Sequence, residues 1–135
     1  MNRIIVVSAI AGSIVGIVFF IFGAIFVRIG IIEPPVSLEI WRELYGLVIL
    51  ASISLGVIWG VIFGAIYSIL YNSIPGKGVL KGLCYGILIW LIKDIAAGSY
   101  IALIGIGTNY ALALILVGFF MWIVYGFILG YFYKK

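Results

Sequence analysis

Two charged residues inside an apolar stretch are the first candidates for chemistry in this chain. Lys93 and Asp94 are adjacent, and they lie near the middle of the stretch from Gly82 to Gly107. A charged side chain costs roughly 2.5–3.5 kcal/mol at the centre of a membrane-spanning helix. Such residues usually face the interior of a bundle or a water-filled cavity, where they pair with each other or mark an ion or proton path. This intramembrane charged pair is therefore the site to test.

Neighbouring residues on an α-helix point about 100° apart, so Lys93 and Asp94 are not expected to form an ideal pair with each other. Asp94 shares the small-residue face of Gly82 and Gly86 and is expected to point inward. The long Lys93 stem could snorkel or reach a partner subunit. Three roles stay open: a structural role, an ion or proton role, or pairing with a partner protein. The structural role includes local neutralisation and a helix break near residues 96–99 that would make the pair interfacial.

The composition excludes most cofactor chemistry. The chain has no histidine, one cysteine (Cys84) and two methionines. Haem, iron–sulfur and zinc sites depend on His, Cys or Met ligands, and a Ser–His or Cys–His nucleophile pair needs a histidine. We therefore expect no cofactor, no metal and no enzymatic activity. The basic residues other than Lys93 lie at the ends of apolar stretches and form no contiguous patch, so we expect no nucleic-acid partner.

Four long apolar stretches make up nearly all of the sequence. They cover residues 4–27, 46–71, 82–107 and 110–132. A bilayer-spanning helix needs about 20 mostly apolar residues, and the chain is 67% hydrophobic and 9% charged. We therefore predict an all-α membrane protein. It is expected to be a single domain, 1–135, with four transmembrane helices in a compact antiparallel bundle.

The first apolar stretch is expected to be retained as a transmembrane helix. Arg3 precedes an apolar run, and the Ala9–Ala11 segment resembles a signal-peptide cleavage site. Only a handful of apolar residues separate the two, which is short of the usual 7–15 residue core. The apolar run also continues to Val27, which is the length of a span.

The distribution of Lys and Arg predicts the orientation. With four spans, the two termini and the 72–81 loop face the same compartment, which then holds Arg3, Lys77, Lys81, Lys134 and Lys135. The opposite side holds Arg28 and Arg42. Because cytoplasmic loops carry an excess of Lys and Arg, both termini are expected in the cytoplasm and the 28–45 loop outside.

The polar 28–45 interval carries the signals for the start of the second helix. Ser37 is a predicted N-cap for a helix beginning at Leu38. Trp41 and Tyr45 follow on that helix and are expected to anchor it at the level of the lipid headgroups.

Small residues recur every four positions in the second stretch. Ser52, Gly56, Gly60, Gly64 and Ser68 lie on one helix face. Such a face lets another helix backbone approach closely. Shorter versions occur in the other stretches at Ser8, Gly12 and Gly16, at Gly82 and Gly86, and at Gly126 and Gly130. The pattern predicts close packing, either inside the bundle or between subunits.

The run from Gly56 to Trp90 resembles the YagU-like group of uncharacterised prokaryotic inner-membrane proteins. The shared elements are a glycine-rich span, a turn containing Pro75 and the basic Lys81 before a Gly-Leu restart. Those proteins have soluble segments and polar residues that this chain lacks, so no residue role is carried over. The resemblance implies a multi-pass protein of a prokaryotic cell membrane.

The expected function is that of an accessory or structural subunit of a larger membrane protein complex. Membrane lipids and either other membrane subunits or further copies of the chain are the expected partners. Four spans leave too few residues for a soluble domain, and the packing faces are abundant. The alternative is a small homo-oligomeric transporter or channel that uses Lys93 and Asp94 at the midplane.

The topology predicts where an introduced thiol reacts. In a Cys84→Ala background, single cysteines at positions 36–40 should react with a membrane-impermeant maleimide applied from outside. Cysteines at positions 74–78 should react only after the membrane is permeabilised, so that the maleimide reaches the cytoplasmic side. The reverse pattern would contradict the orientation, and labelling of both segments from one side would contradict the four-span count.

Overall fold

The computed structural model describes residues 2–31, 37–105 and 108–133. Most of these residues are helical, and none of them lies in a strand. The helices are α1 (Asn2–Arg28), α2 (Leu38–Leu70), α3 (Val79–Trp90), α4 (Ala96–Leu103) and α5 (Thr108–Phe132). A π-helical turn, Leu91–Ile95, joins α3 to α4 into one continuous helical stretch. The predicted all-helical class is confirmed for the described part of the chain.

Four helical stretches in the described residues are long and apolar enough to cross a membrane. They are Arg3–Arg28, Arg42–Leu70, Val79–Leu103 and Thr108–Phe132. The predicted four spans are confirmed by length and composition. The third stretch ends at Leu103, before the predicted Gly107. Gly105 has a φ of +77°, and a glycine in this left-handed conformation commonly ends a helix.

Helix α2 extends well beyond the hydrophobic stretch that predicted it. It begins at Leu38, after Ser37, whose Oγ accepts a hydrogen bond from the Ile40 backbone N at 3.4 Å. Its 33 residues span about 50 Å, against about 30 Å for the hydrocarbon core. Trp41 lies in this first part of the helix, and the Tyr45 ring packs edge-on against Phe20 of α1 at 5.2 Å.

Helices α1 and α2 touch at backbone distance. A methyl group added to Gly12 would overlap the carbonyl oxygen of Gly56, and one added to Gly56 would overlap that of Gly12. One turn further, a methyl on Gly16 would overlap the Ser52 carbonyl, and the same Gly12 backbone lies 2.8 Å from a methyl built on Gly60. Glycine is therefore needed along this contact because there is no room for any side chain.

Helices α3 and α5 form a second pair of the same kind. Methyl groups on Gly82 and Gly126 would each overlap the other's carbonyl oxygen, and one on Gly86 would overlap the Trp122 carbonyl. A methyl on Gly130 would lie 2.9 Å from the Val79 Cα. Helices α1 and α5 also lie against each other and join the two pairs.

The last two small residues of the α2 face meet side chains instead of backbone. Gly64 lies against the side chain of Ser8, which would overlap a methyl group there. The Ser68 hydroxyl lies 3.3 Å from the hydroxyl of Tyr133.

Two glycines of α1 give a matched test of this packing. Gly12→Ala should lower the free energy of unfolding by about 1–3 kcal/mol, because the added methyl overpacks a backbone contact. Gly23→Ala is the control, since a methyl there meets nothing within 4 Å. It should leave stability unchanged or raise it by up to about 1 kcal/mol, the helix-propensity difference between the two residues. Reversible unfolding in mixed micelles measures both; equal effects would contradict the contact.

Candidate functional site

The buried carboxylate of Asp94 is the centre of the candidate site. Asp94 lies in the π-helical turn and is 3% exposed. The Lys93 Nζ donates a hydrogen bond to Asp94 Oδ1 at 2.9 Å, and the Trp122 Nε1 of α5 donates one to Oδ2. Both carboxylate oxygens therefore have a donor from the same chain, as a buried charge requires.

Lys93 and Asp94 form an ion pair with each other, although neighbouring residues on an α-helix were not expected to form an ideal pair. The 2.9 Å contact joins residues that are adjacent in sequence. A π-helical turn replaces the α-helix at this point, and lysine has a flexible four-carbon stem that lets its ammonium fold back. The helix is also unbroken near residues 96–99, because α4 continues to Leu103.

A glycine in the facing helix makes room for the carboxylate. A methyl group on Gly118 of α5 would overlap the Asp94 carboxylate and lie 2.9 Å from its Cβ. Gly118, Trp122, Gly126 and Gly130 are four residues apart, so they lie on one face of α5. The sequence analysis used only Gly126 and Gly130, although the same four-residue spacing also reaches Gly118.

Lys93 opens onto a cleft that we call the mid-span cleft, whose lining includes Phe19, Leu55, Trp59, Lys93 and Trp122. Its volume is about 220 Å³, and it lies between α1, α2 and α5. The Lys93 side chain is 43% exposed, and its ammonium lies 5.5 Å from the Trp122 ring centroid, within cation–π range. Phe19, Leu55 and Trp59 are about half-exposed and form an open rim of the cleft.

Three other polar side chains of the spans donate hydrogen bonds to backbone carbonyls of neighbouring helices. The bonds run from Tyr125 Oη to Gly60 O at 2.5 Å, from Tyr85 Oη to Phe63 O at 2.5 Å and from Trp90 Nε1 to Ile115 O at 2.8 Å. They join α5 to α2, α3 to α2 and α3 to α5. Each one fixes the separation of two helices and satisfies a polar group where no water competes.

A tyrosine cluster closes the end of the molecule near the 72–78 turn. The ring of Tyr67 packs against those of Tyr71, Tyr85 and Tyr133. The buried Lys81 donates a hydrogen bond to the Tyr71 carbonyl at 2.5 Å, and a cation there complements the negative end of the α2 dipole. The Tyr67 hydroxyl is buried and has no hydrogen-bond partner among the described residues.

The site residues predicted from the sequence fall into three groups, of which the anchors Trp41 and Tyr45 lie in the first part of α2. The small residues lie at contacts between helices, whereas Lys93 and Asp94 form the charged centre between α3 and α4. Across residues 2–31, 37–105 and 108–133, no group of three or more His, Cys, Asp or Glu residues could hold a metal ion. Lys93, Asp94, Gly118 and Trp122 together form a polar site within the candidate spans.

Comparison with known protein families, with curated proteins and with solved structures finds no match for this chain. The resemblance of residues 56–90 to the YagU-like group stays an expectation. Function must therefore be argued from the site itself.

The Lys93–Asp94 pair predicts a specific double-mutant result. Asp94→Asn removes the partner of the ammonium and should lower the free energy of unfolding by about 2 kcal/mol. This is below the roughly 3–5 kcal/mol for breaking a fully buried pair, because Lys93 is partly exposed. Adding Lys93→Met should recover most of the loss.

Lys77→Met is the control, because Lys77 is exposed in the loop between α2 and α3, and it should change stability by less than about 0.5 kcal/mol. Additive effects of Asp94→Asn and Lys93→Met would contradict an energetic coupling between the two side chains.

Proposed function

We propose that this chain is a non-enzymatic accessory subunit of a larger membrane assembly. It inserts as a four-helix bundle with both termini in the cytoplasm. The proposal rests on the burial and the hydrogen bonding of the Asp94 side chain. Its carboxylate is buried, and both oxygens accept hydrogen bonds from the chain's own Lys93 and Trp122. A carboxylate held in this way acts as a clamp between the third and fourth spans.

Three other polar groups of the spans support a rigid module. Proton relays and ion paths use successive ionisable side chains that exchange their partners along the membrane normal. Here the hydroxyls of Tyr125 and Tyr85 and the indole of Trp90 each donate to a backbone carbonyl of a neighbouring helix. Such groups have fixed partners, so they favour a structural role.

The surface available to a partner is that of α2. Only 6% of an 18-residue stretch within Arg42–Leu70 is buried inside the protein, against 44% of the corresponding stretch within Thr108–Phe132. Leu47, Leu50 and Ile58 are among its exposed apolar residues. In a bilayer this surface contacts lipid or another subunit, and an edge helix can accept a neighbouring helix without rearranging the rest of the bundle.

A second candidate function is a small homo-oligomeric transporter or channel. The mid-span cleft favours it, because about 220 Å³ is room for several water molecules. Lys93 is half-exposed to that space. In this role the ammonium would attract an anion into the middle of the membrane.

Native mass analysis after gentle extraction from the source membranes separates the two functions. The assembly role predicts a complex that contains a different membrane protein in fixed stoichiometry. Leu50→Trp on α2 should remove that companion, whereas Leu116→Trp, equally exposed but on α5, should retain it. A pure homo-oligomer would support the transporter, and a monomer without companions would contradict the assembly role.

A further inference from the structure

We propose that the mid-span cleft binds the ring carbonyl of a neutral, membrane-soluble compound of the quinone type, with the Lys93 ammonium as hydrogen-bond donor. This binding site goes beyond the assembly role and does not depend on it.

The Lys93 ammonium has donors to spare. An ammonium group carries three N–H donors, and in the described part of the chain one acceptor is recorded for it, Asp94 Oδ1 at 2.9 Å. The side chain is 43% exposed and lines the cleft. Hydrocarbon offers no acceptor at this depth, so the remaining donors favour an occupant that brings one.

The charge of the pair decides what kind of acceptor fits. Lys93 and Asp94 already neutralise each other, so a carboxylate or phosphate ligand would add an unbalanced negative charge inside the membrane, which is costly. A carbonyl oxygen accepts a hydrogen bond from the ammonium without adding a charge. A second copy of the chain offers no free acceptor of this kind through Asp94, because that side chain is buried and bonded.

The shape of the cleft selects a flat ring at mid-depth. Phe19, Trp59 and Trp122 supply aromatic walls, and aromatic faces favour stacked or edge-to-face contact with another ring. A volume of about 220 Å³ matches a single substituted ring better than a whole lipid. Because the rim is half-exposed, a ring can enter from the bilayer while its apolar tail stays in the hydrocarbon. Ester carbonyls of ordinary glycerolipids lie at the interface, too far from Lys93.

Decylubiquinone and decylbenzene are matched probes, since both carry a ring and the same alkyl chain but only the first has ring carbonyls. The full chain in lipid nanodiscs is titrated with each probe, and the bound fraction is measured by native mass spectrometry. Decylubiquinone should saturate at one molecule per chain and bind at least about tenfold more tightly than decylbenzene, the effect of one hydrogen bond to a charged group.

Three variants locate the site. Lys93→Met combined with Asp94→Asn removes the donor and keeps the pair neutral, and it should weaken decylubiquinone binding at least about tenfold. Leu55→Phe narrows the cleft from its exposed rim and should weaken binding of both probes. Leu47→Phe is the control on the same helix, exposed to a similar degree and outside the cleft lining, and it should bind like the parent. Circular dichroism checks that each variant remains folded.

Several results would overturn the proposal. Equal affinity for the two probes, or an unchanged affinity in the double variant, would reject Lys93 as the donor. Decylubiquinone binding that Leu55→Phe does not weaken would place the ligand elsewhere. If diacylglycerol bound as tightly as decylubiquinone or more tightly, the cleft would not select a ring. If decylubiquinone showed no saturable binding, the cleft would not be a binding site for it. A companion subunit would still co-purify in each of these cases, so failure here is distinguishable from failure of the assembly role.

Discussion

The absence of water inside the bilayer is the constraint on which this structure depends. A polar group in the spans must find its partner within the protein, or its burial is costly. Asp94 meets this requirement through Lys93, Trp122 and the space left by Gly118. The same requirement makes α3, α4 and α5 one unit, because the carboxylate of one span is satisfied by the indole of the next.

The glycine contacts and the polar contacts support each other. Where two helix backbones approach closely, no side chain lies between them. Their backbone carbonyl oxygens can then accept hydrogen bonds from a third helix. Gly60 illustrates this, since its Cα face lies against Gly12 of α1 and its carbonyl accepts the hydrogen bond from Tyr125 of α5. Three helices therefore meet at one glycine. A larger residue there would disturb both the backbone contact and the hydrogen bond, so the two kinds of contact are not independent.

Much of this architecture could be predicted from the sequence because the membrane imposes simple length and packing rules. The four spans follow from apolar length, the start of α2 at Leu38 follows from Ser37 as its N-cap, and glycines four residues apart mark helix faces. The sequence predicts the ends of the helices less accurately. The third stretch, for example, ends at Leu103 and not at the predicted Gly107.

The details of the site could not be predicted because they depend on non-local contacts. The π-helical turn at Leu91–Ile95 has no sequence signature, and it allows the adjacent Lys93 and Asp94 to pair. The role of Gly118 depends on which residue of the third span lies opposite. The mid-span cleft lies between three helices and the π-helical turn, so no single segment of the sequence encodes it.

The hydrogen bond between Trp122 and Asp94 is the most direct test of this account, because it joins the clamp, the site and the packing of α5. Solid-state NMR of the indole-¹⁵N-labelled protein in lipid bilayers reports on it through the Trp122 indole proton. The account predicts a downfield resonance that resists exchange with deuterated water and moves upfield in Asp94→Asn. An indole resonance that exchanges rapidly, or that is unchanged by Asp94→Asn, would contradict the clamp.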